Sequence, residues 1–297
     1  MSISIFIDSL IRSIEVGSLY ALMAVGLTLT MAVIKLPNFA HAELITTGAM
    51  VALIVSQNVT SNPLLVILAA GVGAALVALL GHWAVFRPLS QRKLSTYTMI
   101  LASFALGLIL RYLYFLIADR YDLFDKRVAI EQQIWFQNSE LTLTNVFFWV
   151  VPTSIGLVLA LSLLINFTPL GRQMRALADN ETLARVIGIA VGRVRSITWL
   201  LVGGMAGSAG ALWGLYSSVH PLTGWLAILS VFAATVLGGM TSFVGTITGA
   251  YIVALAENVG MQALNGWFGV DFSFKQAVPF IIIILVLLTR PNAFGKR

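Results

Sequence analysis

The run Pro63–Phe86 reads PLLVILAAGVGAALVALLGHWAVF and contains no Asp, Glu, Lys or Arg. A helix needs about 20 mainly apolar residues to cross the hydrocarbon core of a bilayer, so this run predicts a membrane span. The rest of the chain has the same character. Of its 297 residues 59% are hydrophobic and only 10% are charged, whereas a soluble domain carries about 25% charged residues. We therefore expect an all-α, polytopic helical membrane protein.

Eight further apolar runs predict additional spans. Two of them, Asn38–Val55 and Trp225–Met240, are short enough to be re-entrant, so we expect eight or nine membrane helices in one transmembrane domain, residues 1–297. Apolar residues at helical spacing within residues 3–15 predict an interfacial helix before the first span. The other six runs are Val16–Ile34, Thr96–Ala118, Asn145–Asn166, Ile197–Val219, Val244–Ala263 and Gln276–Thr289.

The basic residues predict the orientation, because Lys and Arg are enriched in short cytoplasmic loops. Residues 119–140 hold five acidic residues against three basic ones, and we expect them outside. With nine spans the N-terminus is then outside the cell (inner) membrane and the C-terminus is cytoplasmic. The basic residues on the predicted cytoplasmic side are Arg87, Arg92 and Lys93, five arginines within 168–196, and Arg290, Lys296 and Arg297.

Two of the predicted spans run in opposite directions in this topology and are followed by similar sequence. Val16–Ile34 and Ile197–Val219 are each followed by a break that contains a proline, Pro37 and Pro221. Antiparallel spans of this kind are typical of the inverted repeats of transporters. The pattern suggests an inverted repeat in this chain.

Residues 168–196 predict two short helices between spans. Thr168 and Pro169 are typical of a helix start, and Gly188 is typical of a helix end. Between them, Asp179-Asn180-Glu181 places acidic residues at the positive end of a second helix. A connection in a helical bundle usually needs only about 2–8 residues. This loop therefore either docks onto a cytosolic partner and transmits its movement to the spans, or lies on the lipid headgroups.

A polar stripe begins the second span, where ionisable residues are costly and therefore functional candidates. It lies at a helix N-terminus, which suits the carboxylate of an amino acid and marks a candidate translocation path. The alternative is that Asn38, His41 and Glu43 satisfy one another and the broken backbone. Elsewhere in the spans, Arg111 and Glu257 have opposite charges and suggest a buried pair; the alternative is that each reaches an interface or a water-filled cavity. The residues of the stripe are Asn38, His41, Glu43, Thr46 and Thr47.

Small residues at helical spacing predict close helix packing. The alternative is that the same glycines contact the solute directly. The predicted packing positions are Gly203, Gly207, Gly238, Gly239, Gly245 and Gly249.

Motifs of enzyme chemistry are missing from the sequence. It has no Cys, its three His show no metal-ligand spacing, and it has no P-loop pattern for ATP. We therefore expect no metal site, no cofactor in this chain and no enzymatic activity.

Three stretches, in order along nearly the whole chain, resemble the permeases of ATP-binding-cassette importers for branched-chain amino acids. They are Gly17–Leu22 with Asn38–Glu43, Thr168–Ile189, and Val236–Gly245 with Gly249. The resemblance implies a permease subunit that pairs with a second, related permease. It also implies two cytosolic ATPases that bind ATP and Mg²⁺, and an extracytoplasmic binding protein that delivers the solute.

Importers of this superfamily dock their ATPases through a Glu-Ala-Ala triplet that is followed, four residues on, by Gly. Thr182-Leu183-Ala184 stands at the triplet here and Gly188 at the glycine, so only Ala184 and Gly188 agree with the motif. The resemblance therefore implies a docking segment. Its residues are Asp179, Asn180, Glu181, Thr182, Leu183, Ala184, Arg185 and Gly188.

Two alternatives to an importer of branched-chain amino acids remain open at the level of sequence. The first is an importer of the same class for urea or short amides, since no residue pattern fixes a side-chain pocket. The second is a self-sufficient secondary carrier or channel, which would place coupling ions on Glu43 or Glu257. The capped helices of residues 168–196 argue against the second alternative.

Overall fold

The computed structural model describes residues 3–92, 94–130, 133–138 and 141–289. Lys93 and the C-terminal basic residues used for the predicted orientation lie outside this part. The described helices are α1 (Ile3–Leu29), α2 (His41–Asn58), α3 (Pro63–Gly81), α4 (Arg87–Gln91), α5 (Thr96–Tyr121), α6 (Asn145–Phe167), α7 (Pro169–Asp179), α8 (Glu181–Val186), α9 (Val191–Tyr216), α10 (Thr223–Leu237), α11 (Phe243–Leu255), α12 (Met261–Phe268) and α13 (Val278–Thr289).

Short non-α segments complete the described chain. Strands β1 (Ile134–Asn138) and β2 (Leu141–Thr144) form a small antiparallel hairpin before α6. A 3₁₀-helix, Phe272–Ala277, leads into α13. Helices α1, α3 and α11 each continue into a wide π-helical turn, and these turns are Thr30–Ile34, His82–Phe86 and Ala256–Gly260.

Seven helical stretches of the described residues are long and apolar enough to cross a membrane. The chain is therefore a multi-pass membrane protein, and the predicted all-α polytopic class is confirmed. The two short predicted spans correspond to α2 and to the apolar helix α10. The seven stretches are Ile5–Ile34, Pro63–Gln91, Thr96–Tyr121, Asn145–Phe167, Val191–Tyr216, Phe243–Phe268 and Phe272–Thr289.

Helices α1 and α9 lie at the centre of the bundle, and α5 and α13 lie at its periphery. In the most apolar part of each helix, 83% of the residues are buried in α1 and 72% in α9, against 17% in α5. The peripheral helices expose large apolar side chains such as Leu116 and Leu288. A surface of this kind is unfavourable in water and suits contact with lipid chains.

Residues 3–15 do not form a helix separate from the first span. They are the first part of α1, which runs from Ile3 to Leu29 without a break. Within it, Asp8 and Arg12 are four residues apart and form an exposed ion pair at 2.7 Å. The polar residues of this stretch thus continue the same helix that is buried further along.

Glycines of α9 allow its backbone to touch α2 and α3. A Cβ added at Gly207 would lie 2.5 Å from the Ala70 carbonyl oxygen, and one at Gly210 would lie 2.0 Å from that of Ile45. Gly203 is equally close to α3, at 2.5 Å from the Ala74 carbonyl oxygen. No side chain larger than hydrogen fits at such distances.

A second close contact joins α10 to α11. Added Cβ atoms would lie 2.2 Å from the Gly238 carbonyl oxygen at Gly245 and 2.4 Å from that of Ala234 at Gly249. Gly239, although predicted as a packing residue, has open space around it and a φ of +86°. Its role is to turn the chain after α10, because this φ is unfavourable for residues with a Cβ.

We predict that Gly210→Ala lowers the thermal stability of the detergent-purified chain, because the added methyl group would overlap the α2 backbone. Overpacking of this kind typically costs about 1–3 kcal/mol. Gly204→Ala is the matched control, since Gly204 lies in the same helix with open space around it. The control should be neutral or slightly stabilising, because Ala favours a helix over Gly. Equal melting temperatures for the two variants would contradict the close contact at Gly210.

Candidate functional site

The segment 168–196 contains the two short helices α7 and α8, each with a side-chain cap. Thr168 Oγ1 accepts a hydrogen bond from the Gly171 amide at 3.2 Å, with Pro169 at the first helical position. Asn180 Oδ1 accepts one from the Leu183 amide at 3.0 Å and separates α7 from α8. Caps of this type typically contribute about 1 kcal/mol each. The loop is therefore a defined structure.

Helix α7 is fixed to the membrane helices. Met174 and Leu177 are almost fully buried. Gly171 lies so close to the end of α6 that a Cβ would be 2.0 Å from the Ile165 carbonyl oxygen. That same oxygen accepts a hydrogen bond from the Arg175 guanidinium. Helix α7 also contacts α9 and the wide turn Thr30–Ile34, so a displacement of α7 reaches the two central helices of the bundle.

Glu181 ties α8 to the beginning of α9. Its Oε1 accepts from Arg185 Nη2 at 2.7 Å, and its Oε2 accepts from Arg195 Nη2 at 2.6 Å. Partial burial by itself would raise the pKa of Glu181, but the two arginines outweigh it and hold the pKa below its ordinary value. Glu181 is therefore ionised at neutral pH and keeps both contacts.

The outer side of this segment exposes three large apolar side chains. Leu183 is 57% exposed, Val186 78% and Ile187 63%. We call these three residues the α8 face. An exposed apolar cluster of this kind is typical of a surface that contacts another protein or a membrane. Gly188, with a φ of +84°, ends the segment directly after the α8 face.

The predicted docking residues differ in where they point. Ala184 is 1% exposed and faces the bundle, although it is one of the two residues that agree with the docking motif. Val186 and Ile187 were not among the predicted residues, yet they are the most exposed members of the α8 face. Their position just before the motif glycine was a signal that could have identified them. The remaining predicted positions lie on the surface or, for Glu181, in the ion pairs described above.

The second candidate site is the polar stripe at the start of α2. Its five residues are all buried. The Arg111 guanidinium donates to Glu43 Oε1 through two nitrogens, at 2.7 and 2.9 Å. His41 Nε2 lies 2.9 Å from the Met23 carbonyl oxygen. Each of these two partners belongs to another helix, α5 or α1.

The remaining residues of the stripe bind backbone groups and one tyrosine. Thr46 Oγ1 accepts from the Gly224 amide at 3.1 Å. Thr47 Oγ1 donates to the Glu43 carbonyl oxygen at 2.6 Å and also contacts the Tyr114 hydroxyl. Asn38 Oδ1 accepts from the Ala40 amide at 3.1 Å, just before α2 begins. The stripe therefore joins α2 to its neighbours.

The side chains of Asn38, His41 and Glu43 do not bond to one another. Asn38 does satisfy the broken backbone, since its Oδ1 accepts from the Ala40 amide and its carbonyl oxygen accepts from the His41 amide. The suggested pair of Arg111 and Glu257 is wrong. Arg111 does not pair with Glu257, because Arg111 is bound to Glu43 and also lies 4.0 Å from the Trp225 ring. Glu257 instead accepts hydrogen bonds from two hydroxyl groups; the donors are Tyr20 at 2.8 Å and Ser230 at 2.5 Å.

Three buried polar atoms of the stripe have no partner within the described residues. They are Asn38 Nδ2, His41 Nδ1 and Glu43 Oε2. Leaving a buried polar group without a hydrogen bond costs about 1–3 kcal/mol. Asn38 Nδ2 is a donor and Glu43 Oε2 is an acceptor. The stripe is therefore equipped to bind a polar ligand that carries both kinds of group.

Residues 9–287 match the family model for the branched-chain amino acid transport system, permease component. This match covers nearly the whole chain, so the chain belongs to that family of membrane permeases.

Individual relatives agree over almost their full lengths. The chain is 32% identical to a probable branched-chain amino acid transport permease protein, LivH, of Methanocaldococcus jannaschii, over 93% of this chain and 88% of that protein. It is 30% identical to the high-affinity branched-chain amino acid permease LivH of Escherichia coli K12, over 98% of this chain and 96% of that protein. It is also 29% identical to the ribose import permease RbsC of the same strain, over 95% of this chain and 85% of that protein.

We predict that Arg111→Gln destabilises the chain by about 3–5 kcal/mol, because it leaves Glu43 as an unpaired buried charge. The double variant Arg111→Gln/Glu43→Gln should recover part of the loss, since no charge then remains. Denaturant titration of the detergent-solubilised chain measures both. Arg12→Gln is the control: it breaks an exposed pair, which is worth about 1 kcal/mol at most.

If Arg111→Gln and the double variant were equally unstable, the two side chains would not be energetically coupled. An effect of Arg111→Gln no larger than that of Arg12→Gln would show that Glu43 is neutral in the bundle.

Proposed function

We propose that the chain is the membrane-spanning permease subunit of an ATP-driven importer of branched-chain amino acids. The observation that carries the proposal is the α8 face, an exposed apolar surface on a folded loop of a membrane permease. The importer would combine this chain with a second, related permease, two cytosolic ATP-binding-cassette ATPases and an extracytoplasmic binding protein. ATP and Mg²⁺ would bind the ATPases, and this chain would not be an enzyme.

The contacts of residues 168–196 provide a route from an ATPase to the spans. A protein that covers the α8 face would also touch the exposed Thr182 and Arg185 beside it. Movement of α8 would then pass to α9 through the Glu181–Arg195 contact. Movement of α7 would pass to α1 through the turn Thr30–Ile34. These two helices form the centre of the bundle, where a change in packing alters any path through it.

The stripe at the start of α2 supports an amino acid as solute. A zwitterionic amino acid carries a carboxylate that accepts hydrogen bonds and an ammonium group that donates them. Asn38 Nδ2 is a free donor and Glu43 Oε2 a free acceptor, so the two atoms complement the two ends of such a solute. On this proposal the translocation path passes Asn38, His41, Glu43, Thr46 and Thr47.

The predicted topology fits this function. Counting α2 and α10 with the seven long helical stretches gives nine crossings of an inner membrane. The N-terminus is then outside and the C-terminus is in the cytoplasm. Residues 168–196 then lie in the cytoplasm, where ATPases are found. In each predicted repeat a long central helix, α1 or α9, is followed by a short buried one, α2 or α10. The interfacial part of α1, residues 3–15, would lie at the outer surface.

Purification of the tagged chain from its own host in mild detergent tests the assembly. A P-loop ATPase and a second polytopic permease should co-purify. The complex is then reconstituted in liposomes with its binding protein, and ATP hydrolysis is measured with leucine, isoleucine, valine, urea or ribose.

Stimulation by the three branched-chain amino acids supports the proposal. Stimulation of ATP hydrolysis by urea or ribose alone would agree with an ATP-driven importer but would show that branched-chain amino acids are not its solute. Transport by the chain alone without ATP would overturn the importer in favour of a carrier.

We predict that Val186→Glu abolishes co-purification of the ATPase, because it places a charge in the centre of the α8 face. Val59→Glu is the matched control: Val59 is 76% exposed, against 78% for Val186, and follows α2 on the opposite side of the proposed topology. Both variants should keep the melting temperature of the parent chain. Retention of the ATPase by Val186→Glu would show that the α8 face is not the docking surface.

A further inference from the structure

A cavity of about 730 Å³ lies between the loop and the membrane helices. Its walls come from the turns that end α1 and α3, from α4, from the beginnings of α5 and α9, and from Glu181, Thr182 and Arg185 of α8. Pockets for small molecules have volumes of about 300–1,000 Å³. The cavity is therefore large enough for a ligand of that kind, and it does not contain any residue of the stripe at the start of α2.

Two aromatic side chains that line the cavity are buried and have a polar atom without a partner. Trp199 is 1% exposed and His82 is 4% exposed. Trp199 Nε1 and His82 Nδ1 form no hydrogen bond within the described residues. The indole N–H is a donor only, so a ligand that pairs with Trp199 must supply an acceptor.

The two rings are held in place by stacking. The centroid of the Trp199 ring lies 4.7 Å from that of Phe86 and 5.9 Å from that of His82, and both pairs are nearly parallel. A ring that is packed in this way cannot turn easily to find another partner. The unused donor of Trp199 is thus a fixed feature of the cavity wall.

The charged groups of the lining are mainly positive. Glu181 supplies the single negative charge among the described lining residues, and it is shared by Arg185 and Arg195. Arg195 Nε is buried and has no acceptor. Lys35 and Arg87 also line the cavity and form no ion pair within the described residues. The cavity therefore offers more positive charge and more donors than its own residues use.

A phosphate group matches this set of donors. It carries negative charge and several acceptor oxygens, and it forms strong charge-assisted hydrogen bonds with arginine. The cavity is much larger than a bare phosphate, and its polar wall includes Ser90, Gln91 and Thr182. A phosphate bonded to an organic group would fill it better than inorganic phosphate alone.

We propose that this cavity binds a phosphate-bearing ligand, with the phosphate held by Trp199 Nε1, Arg195 Nε and the positive charges of Lys35 and Arg87. The cavity lies at the ends of helices that are long and apolar enough to cross a membrane, where lipid headgroups are found, so the phosphate belongs either to an anionic phospholipid or to a soluble phosphomonoester. Bound there, it contacts α8, α9 and the end of α3 together. If the proposed function holds, it stiffens the connection between the ATPase and the bundle.

Binding to the purified chain tests the site without any partner protein. Native mass spectrometry in detergent measures retention of phosphatidylglycerol against phosphatidylcholine, and quenching of tryptophan fluorescence measures binding of glycerol 1-phosphate. We expect one of the two phosphate probes to bind saturably and phosphatidylcholine to be lost. Preference for phosphatidylglycerol identifies a lipid site, and binding of glycerol 1-phosphate identifies a soluble ligand.

Two variants connect the binding to this cavity. Lys35→Gln/Arg87→Gln changes exposed side chains only, so it should leave the melting temperature unchanged and weaken binding about tenfold, as the loss of charged hydrogen bonds implies. Trp199→Phe keeps the ring and removes the donor, and it should weaken binding severalfold. Trp83→Phe is the control, because Trp83 is nearby but outside the lining, with its N–H directed at Ser196.

The absence of saturable binding by either phosphate probe would overturn the proposal. Undiminished binding by Lys35→Gln/Arg87→Gln would overturn it as well, because the ligand would then lie elsewhere. Since these measurements use the chain alone, their failure leaves the proposed importer untouched. Conversely, the loss of the ATPase partner in the co-purification experiment leaves the binding result unaffected.

Discussion

Helix α9 packs backbone against backbone with α2 and α3, at positions where only glycine fits. This contact places a long helix in the middle of the bundle and fixes the position of its beginning, which receives Glu181 from α8. Inside a bilayer no water drives helices together, so close van der Waals contact replaces the hydrophobic effect as the source of association. The loop, the cavity beneath it and the stripe on α2 all depend on where α9 lies.

Much of this architecture was predictable because local physics decides it. Apolar runs of about 20 residues have few alternatives to a membrane helix, and seven of the nine predicted runs coincide with a helical stretch that is long and apolar enough to cross a membrane. Caps act within one turn, so Thr168 was identified from its neighbours alone, and so was the start of a second helix at Asp179-Asn180-Glu181. The resemblance to permeases rested on such local stretches, and the family match over residues 9–287 agrees with it.

Pairings between helices were not predictable, because they depend on positions distant in sequence. Arg111 has a choice of carboxylates in the spans, and only the packing of α5 beside α2 selects Glu43. The outward direction of Val186 and Ile187 depends in the same way on how α7 is anchored. The solute is not determined by the fold either, since a permease named for ribose also matches this chain, at 29% identity over 95% of its length.

The Glu43–Arg111 contact has a consequence for how the bundle can move. Glu43 is completely buried, and Arg111 is nearly so. Pulling α5 away from α2 would separate two opposite charges in a medium of low dielectric constant, at a cost of several kcal/mol. A motion that carries α2 and α5 together therefore costs less than one that separates them.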